Sequence, residues 1–345
     1  MTITTTMTRP PLATPTGTFP SGESRKSYEI LDPRIQHLFE KIRINPDCES
    51  GFVDGDLIQG DSPKNFEQLL GRAVYARFHA GIQETPTPSA ISHQRGDADI
   101  HDAISEATTV KQREYLVTDY RQVTEAPGRE QDYIAIVDGL RVHVPKEKVV
   151  REDATGLWIL RSTLNHRLSV GFTFYTGQLG RGQGRDLIRL YRKAEAVEEL
   201  LPVWTRLIEW GQQHSIPFRM KMLNEHQSFP RNDALVLYMT KNHARHLNKA
   251  AQLMSQGTSE LNDLTSPFAQ QIAPGVGLSW EPLDPSPYKR FLSFGEHRSA
   301  ALAQGLCLAT RKGTNPASEV ARVFLSANID PLNPHRNLTS PQVML

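Results

Sequence analysis

The sequence predicts an α+β fold: a helical N-terminal part followed by a mostly antiparallel, twisted sheet packed with helices. Three observations lead there. Asp32-Pro33 and Ser62-Pro63 each precede apolar residues at helical spacing. The middle of the chain turns strand-like and holds a hairpin signal, Tyr133 to Val137, Asp138-Gly139, Leu140 to Val144. The C-terminal half then alternates strands and helices, with helical and strand-rich regions partly segregated.

Each element has a local cause. Asp and Ser are good N-caps, and proline fits the first helical position because it lacks the N–H left unpaired there. Ile35, Leu38, Phe39 and Ile42 form the first apolar stripe, and Phe66, Leu69, Leu70, Ala73 and Val74 the second. The N-terminal third is therefore expected to be mostly helical. Residues 83–98 are polar and proline-rich and read as a loop. Strands are expected at 115–125, 133–137, 140–144, 157–160 and 168–175. Asp-Gly is the favoured two-residue hairpin turn because both positions need positive φ. A long amphipathic helix is expected from about Arg185 to Gln213, with Leu187, Leu190, Ala194, Val197, Leu201, Trp204 and Ile208 on its buried face. Strands at 217–223 and 233–239 follow, then helices at 242–256, 296–310 and 316–327. Ala273-Pro-Gly-Val-Gly-Leu278 reads as a tight turn.

Composition excludes several classes. The 345 residues fit one large domain or two ordinary ones. Lys and Arg total 39 against 38 Asp and Glu, so a net charge of +1 excludes a basic nucleic-acid coat and a long acidic tail. Two cysteines, Cys48 and Cys307, make no disulfide framework and no CxxC site, and point to a reducing cytosol. No run approaches the roughly 20 apolar residues of a membrane span, and no signal-peptide pattern opens the chain. Residues 1–27, with eight threonines in the first eighteen positions, read as a disordered lead-in. Residues 28–112 read as a helical N-terminal region and 113–345 as an α+β domain.

Most motifs are unspecific. The glycine-rich stretch Gly177 to Arg185 lacks both the GK[ST] ending of a P-loop and the GxGxxG spacing, and reads as a flexible connection. His226, His243 and His246 have no local carboxylate or cysteine to complete a metal site, and HExxH and GxSxG are absent. Neither metal nor cofactor is expected.

The informative segment is Ile216-Pro-Phe-Arg-Met-Lys-Met-Leu223. In a strand, alternate residues share a face. Phe218, Met220 and Met222 would face the core, and Arg219 and Lys221 would stand together on the other face. Two such cations can grip a phosphate dianion. Arg219 also disfavours protonation of Lys221, which moves the lysine toward a usable base. A solvated strand face is the alternative. Arg231, just before an apolar strand, and Arg298, at the opening of Ser293-Phe-Gly-Glu-His297-Arg298, are further candidate anion ligands.

Taken in order, Phe174-Tyr175, Ile216-Pro-Phe-Arg-Met-Lys221, Phe229-Pro-Arg-Asn-Asp-Ala-Leu-Val-Leu-Tyr238, Ala273-Pro-Gly-Val-Gly-Leu278 and Ser293-Phe-Gly-Glu-His-Arg298 resemble the HopA-type family of bacterial type III secretion effectors. The series also resembles that family's stand-alone relatives in peptide natural-product clusters. Those relatives act as phosphoserine/phosphothreonine lyases in class V lanthipeptide and thioamitide biosynthesis, beside a separate kinase and without metal. The resemblance implies a lyase domain over 113–345, working in the cytoplasm. Its substrate would be a phosphorylated precursor peptide, and kinase and cyclase proteins its partners; no nucleic acid and no membrane are implied. Lys221 would remove the α-proton, and Arg219, Arg231 and Arg298 would hold the phosphate. Phosphothreonine lyase effectors carry Lys-x-His on an earlier strand, with His as general acid, whereas this chain has Gly171-Phe-Thr-Phe-Tyr175 there. The proton donor stays open between His297, Tyr175 and none at all. The competing implication is an effector without turnover that binds host immune proteins.

Overall fold

The structure is a computed structural model and describes residues 30–83, 96–123, 131–182, 184, 186–258, 265–289 and 291–343. The lead-in 1–27 and most of the expected loop 83–98 lie outside the described residues.

The fold is α+β. Its centre is a seven-stranded sheet built from β10 (Leu164–Ser169), β11 (Phe172–Thr176), β12 (Leu187–Ala194), β13 (Arg219–Leu223), β14 (Arg231–Thr240), β15 (Gln270–Ala273) and β16 (Val276–Trp280). The strand order is β10-β11-β13-β14-β12-β16-β15, and every pairing is antiparallel. On one face lie α3 (Ala98–Ala107), α4 (Leu201–Gln213) and α5 (Leu247–Ser255), whose apolar sides join Met220, Met222, Leu235 and Leu237 in one core. On the other face, α1 (Pro33–His37), α2 (Pro63–Val74), α6 (Phe294–Lys312) and α7 (Pro316–Ser326) gather a second core over Tyr191 and Val236.

Two small sheets stand beside this sandwich. One joins β4 (Gln112–Val117), β9 (Gly156–Ser162) and β8 (Val149–Asp153); the other joins β5 (Tyr120–Gln122), β6 (Tyr133–Val137) and β7 (Leu140–Val144). They share a third core that includes Val117, Val137 and Leu157. The expected hairpin is present, with Asp138 at φ 52° and Gly139 at φ 81°. Thr163 carries β9 directly into β10, which fixes this unit against the edge of the large sheet.

Asp32 and Ser62 cap α1 and α2 with their side chains, as their residue types require. Ser293 and Glu296 form a capping box on α6, and Gly313 ends that helix in the left-handed conformation.

Three expectations are corrected. The N-terminal third is helical as expected but also holds strands, because β1 (Ile42–Ile44), β2 (Ser50–Val53) and β3 (Asp56–Gln59) form a small antiparallel sheet. Asp54-Gly55, both at positive φ, makes there the same two-residue turn as Asp138-Gly139. The expected long helix from Arg185 begins only at Leu201, and the glycine-rich stretch before it joins two strands. Leu187–Ala194 is β12, an interior strand of the large sheet that is buried toward both helical layers. A run buried on both faces loses the alternation that would mark it as a strand. Finally, 273–278 is a turn at Pro274-Gly275 within the hairpin β15–β16.

Candidate functional site

The face of the sheet under α2 and α6 carries a group of cations. Strand β13 turns Met220 and Met222 into the α4 side, both fully buried, and Arg219 and Lys221 to the opposite side. Register sets their neighbours. Arg219 lies opposite Thr176 and Tyr238, and Tyr238 lies opposite Arg189. Lys221 lies between Phe174 and Val236. At the start of β14, Arg231 comes within reach. Lys221 Nζ stands 3.6 Å above the Phe172 ring centroid, and the Arg231 guanidinium stands 5.5 Å from the same ring.

Two of these cations already have carboxylate partners. Arg189 donates to Glu281 from Nε at 2.6 Å. Arg231 donates from Nε to Asp233 Oδ1 at 2.7 Å and from Nη2 to Asp233 Oδ2 at 2.9 Å. Arg231 Nη2 also donates to the Tyr75 hydroxyl at 3.1 Å. Tyr75 comes from a π-helical stretch, Tyr75–Ala80, that extends α2. The other two cations remain uncompensated. Among the described residues, Lys221 has no ion pair, and Arg219 makes one long hydrogen bond, Nε to Thr176 Oγ1 at 3.5 Å. Arg219 also lies over the Phe174 ring at 5.4 Å.

Burial pushes the Lys221 amine down to about 8; Arg189 and Arg231 act in the same direction, against Asp233 and Glu296. Burial would raise Asp233, but the Arg231 guanidinium outweighs it and holds the carboxyl at about 2. Burial raises the Tyr75 phenol above its ordinary range, so it stays protonated. Its oxygen accepts from Arg231 while its own hydrogen remains free to donate.

His79 follows Tyr75 by one turn and sits beneath this cluster. It is buried and pushed down to about 4, first by desolvation. Its Nδ1 lies 2.8 Å from Ser266 Oγ. Gly295 on α6 allows the approach, because a β-carbon there would collide with the imidazole.

Between α2 and α6 runs a groove of about 450 Å³, a volume in the range of small-ligand sites. Its lining includes Glu67, Arg72, Lys289 and Glu296, together with Tyr75. Tyr75 thus touches both the groove and Arg231.

The structure therefore brings Lys221, Arg219 and Arg231 together, and three other candidates fall elsewhere. Tyr175 lies on the opposite face, fully buried against Trp204 and Phe218, because it is the odd neighbour of Phe174 on β11. Arg298 is fully buried and holds the C-terminal segment, donating to the carbonyls of Pro334 and Arg336 and to Asn337 Oδ1. His297 is likewise enclosed. A guanidinium has no acceptor, so Arg298 Nη1 donates to His297 Nδ1 at 2.7 Å. His297 Nε2 then carries the proton and donates to Asp284 Oδ2 at 2.7 Å. With both nitrogens committed, His297 stays neutral, pushed down to about 4 chiefly by burial. Arg298 and His297 are a structural pair rather than a phosphate clamp and its acid.

Tyr75, His79, Arg189 and Asp233 are site residues that sequence reasoning missed. The spacing Tyr75…His79 on one helical face and the pair Arg231-x-Asp233 on one strand face were the available signals. The histidines His243 and His246 stack on each other at a ring separation of 6.4 Å. Among the described residues no three His, Cys, Asp or Glu side chains converge to hold a metal ion. No helix there is long and apolar enough to cross a membrane.

Two buried histidines and one half-buried one give a testable pH dependence. His79, His297 and His335 are each pushed down to about 4, desolvation being the largest cause. The unfolded chain binds protons at these side chains from about pH 6.5 downward, where the folded one does not. Stability is therefore expected to fall as pH drops from about 6.5 through about 4. Urea unfolding midpoints across that window check it; a flat profile counts against neutral burial of these side chains.

The HopA1 effector protein family model matches residues 163–336. No curated protein sequence matches the chain. Among solved structures, the effector protein from Pseudomonas syringae pv. syringae strain 61 is similar at 12% identity and a TM-score of 0.43. That likeness covers 77% of this chain and 89% of the effector. The effector protein from Pseudomonas syringae pv. tomato strain DC3000 is similar at 13% identity and a TM-score of 0.39, over 79% of this chain and 98% of that one.

Proposed function

The chain belongs to the HopA1 effector protein family, and we propose that it is a carbon–oxygen lyase that eliminates phosphate from phosphoserine or phosphothreonine in a peptide. One observation carries the reading. Lys221 and Arg219 are cations of a half-buried site that have no ion pair among the described residues, and burial pushes the Lys221 amine down to about 8. A phosphate monoester carries close to two negative charges at neutral pH, which such a pair matches. Elimination needs an anion clamp and a base in one place.

In this reading the phosphate lies against Arg219 and Arg231. Neutral Lys221 takes the α-proton, and the C–H electrons become the π bond between Cα and Cβ. The Cβ–O bond breaks and its electrons leave with phosphate, giving a dehydroamino acid. A dianionic ester would leave as the strongly basic trianion, so hydrogen-bond donors on the leaving group lower the barrier. Arg231 and the free O–H of Tyr75 are those donors, in place of the Tyr175 and His297 that the fold puts elsewhere. Asp233 holds Arg231 until the phosphate competes for it. The peptide reaches the site along the groove between α2 and α6. A phosphorylated precursor peptide, with separate kinase and cyclase proteins in the cytoplasm, is the context that suits this chemistry.

The Asp233–Arg231 pair also favours a second reading, binding without turnover. A guanidinium that keeps its own carboxylate is a weaker clamp. Mass spectrometry of a phosphopeptide incubated with the pure protein separates the two. Loss of the whole of phosphoric acid to leave a dehydrated residue supports the lyase. Return of the hydroxyl marks a phosphatase and overturns it. Binding with an unchanged peptide mass supports the second reading.

A further inference from the structure

The cationic surface does not end at Arg219. Strand β9 leads into β10 at the sheet edge and delivers Arg161 there, and β4 places Arg113 directly opposite Arg161 in register. Like charges directly opposite each other on a sheet are destabilising. Both guanidinium groups lie over the same ring, Tyr115, at 5.1 Å and 4.7 Å. Arg181, exposed on the connection after β11, adds a fourth cation to this neighbourhood.

Carboxylates are scarce here. Asp138 accepts from Arg161 at 2.9 Å and from the Tyr115 hydroxyl at 3.4 Å. Among the described residues, Arg113 and Arg219 have no ion pair, and Arg113 Nε is buried without a hydrogen-bond partner. Burial first, then neighbouring cations, holds both below the ordinary guanidinium range; Arg161 acts on Arg113 and Arg181 on Arg219. Four arginines against one aspartate leave an excess of positive charge that no described side chain of the protein offsets.

We propose that Arg113 and Arg161, next to Arg219 and with Arg181 at the rim, form a second anion subsite that recognises an acidic side chain of the substrate peptide near its phosphoresidue. This deepens the lyase reading and rests on it for the identity of the peptide. Arg219 and Lys221 are two residues apart on β13, about 7 Å along the strand. An extended peptide whose α-carbon lies at Lys221 and whose phosphate lies against Arg231 and Arg219 therefore presents its second anion, beyond Arg219, within about two to four residues. The shared chemistry is an oxyanion, supplied by Asp or Glu or by a second phosphate. Tyr115 and Phe174 provide flat apolar surface beside the guanidinium groups. The retained like-charge pair gains a function, since an incoming anion relieves the repulsion.

The test uses fluorescein-labelled phosphoserine peptides that differ only at the flanking positions, bearing Gln, Glu or a second phosphoserine. Affinity is read by anisotropy on the full chain and on its R113Q and R161Q variants, with turnover followed separately. Wild-type protein is expected to bind the Glu peptide about tenfold more tightly than the Gln peptide, as one charge-assisted hydrogen bond allows. The preference shrinks at high salt and largely disappears in R113Q, while kcat on the Gln peptide is unchanged. A larger gain for the second phosphoserine than for Glu assigns the subsite to phosphate, and the reverse assigns it to carboxylate. R113Q removes one member of a repelling pair, so its melting temperature is expected to hold. R161Q loses the Asp138 contact, and R161K replaces it if it fails to fold. Equal affinity for the Gln and Glu peptides, or a preference that survives in R113Q, overturns the inference. Tighter binding of single-stranded RNA than of any peptide overturns the peptide as occupant. Flank preference without turnover upholds the subsite and counts against the lyase.

Discussion

Lys221→Ala is expected to lower phosphopeptide elimination by about 10²–10⁴-fold while binding largely survives, because general base catalysis is worth about that much and the arginines remain. Arg219 and Arg231 do not depend on the Lys221 amine for their position; Arg231 is held by Asp233 and Tyr75. Lys221→Arg is expected to fail as well, since a guanidinium stays protonated. The pH dependence adds an independent check. With the amine at about 8, roughly a tenth is neutral at pH 7, about 200-fold more than for a lysine at about 10.4. The single-turnover rate should therefore rise with pH through about 8 and then level off. A rate independent of pH from 6 to 9, or a folded Lys221→Ala variant with full activity, removes Lys221 as the base. The same shift affects stability. Between about 8 and about 10.4 the unfolded chain holds a proton that folded Lys221 has lost, so the contribution of this side chain to stability rises with pH across that window.

The second large effect is expected at Arg298, as a loss of stability. Arg298→Ala strands the carbonyl of Pro334 and the side-chain oxygen of Asn337 in the interior, takes the donor from His297 Nδ1, and leaves the Arg336 carbonyl with the Asp330 N–H. Each buried acceptor left unpaired costs about 1–3 kcal/mol, so a loss of at least about 3 kcal/mol is expected. It would be measured as a fall in the urea midpoint at unchanged m-value. Residual folded protein should bind phosphopeptide as the wild type does. By contrast, Arg231→Ala should weaken binding and turnover together, because a clamp on the phosphate acts in ground and transition states alike. An Arg298→Ala variant of normal stability with weakened phosphopeptide binding would return Arg298 to the phosphate site.

Both expectations show where local sequence stops informing. Arg219 and Lys221 were legible because strand period alone decides that they share a face and that Met220 and Met222 take the other. The same rule, applied to Phe174-Tyr175, separates Tyr175 from Lys221 once the two strands are known to pair in the register Phe174 to Lys221. That register is a long-range fact. Arg298 illustrates the converse. A cation at the opening of a helix suits anion binding, and nothing local says that the chain's own carbonyls, at Pro334 and Arg336, will occupy it. Tyr75, His79 and Asp233 carry no motif; they matter only because a turn after α2 meets the start of β14.

What the sequence by itself determined is everything with a short-range cause. That includes the α+β class, the caps at Asp32 and Ser62, the Asp138-Gly139 turn, and the cation pair on β13. Cap chemistry, turn dihedrals and side-chain periodicity act over a few residues and are visible in them. Tertiary structure alone decided that Leu187–Ala194 is an interior strand of the sheet, since burial on both faces erases the pattern that distinguishes strand from helix. It also decided which cations remain uncompensated. Arg189 finds Glu281, Arg231 finds Asp233 and Arg161 finds Asp138, while Lys221, Arg219 and Arg113 find no carboxylate among the described residues. Charge compensation depends on distances between residues far apart in the chain, and those distances are set by packing.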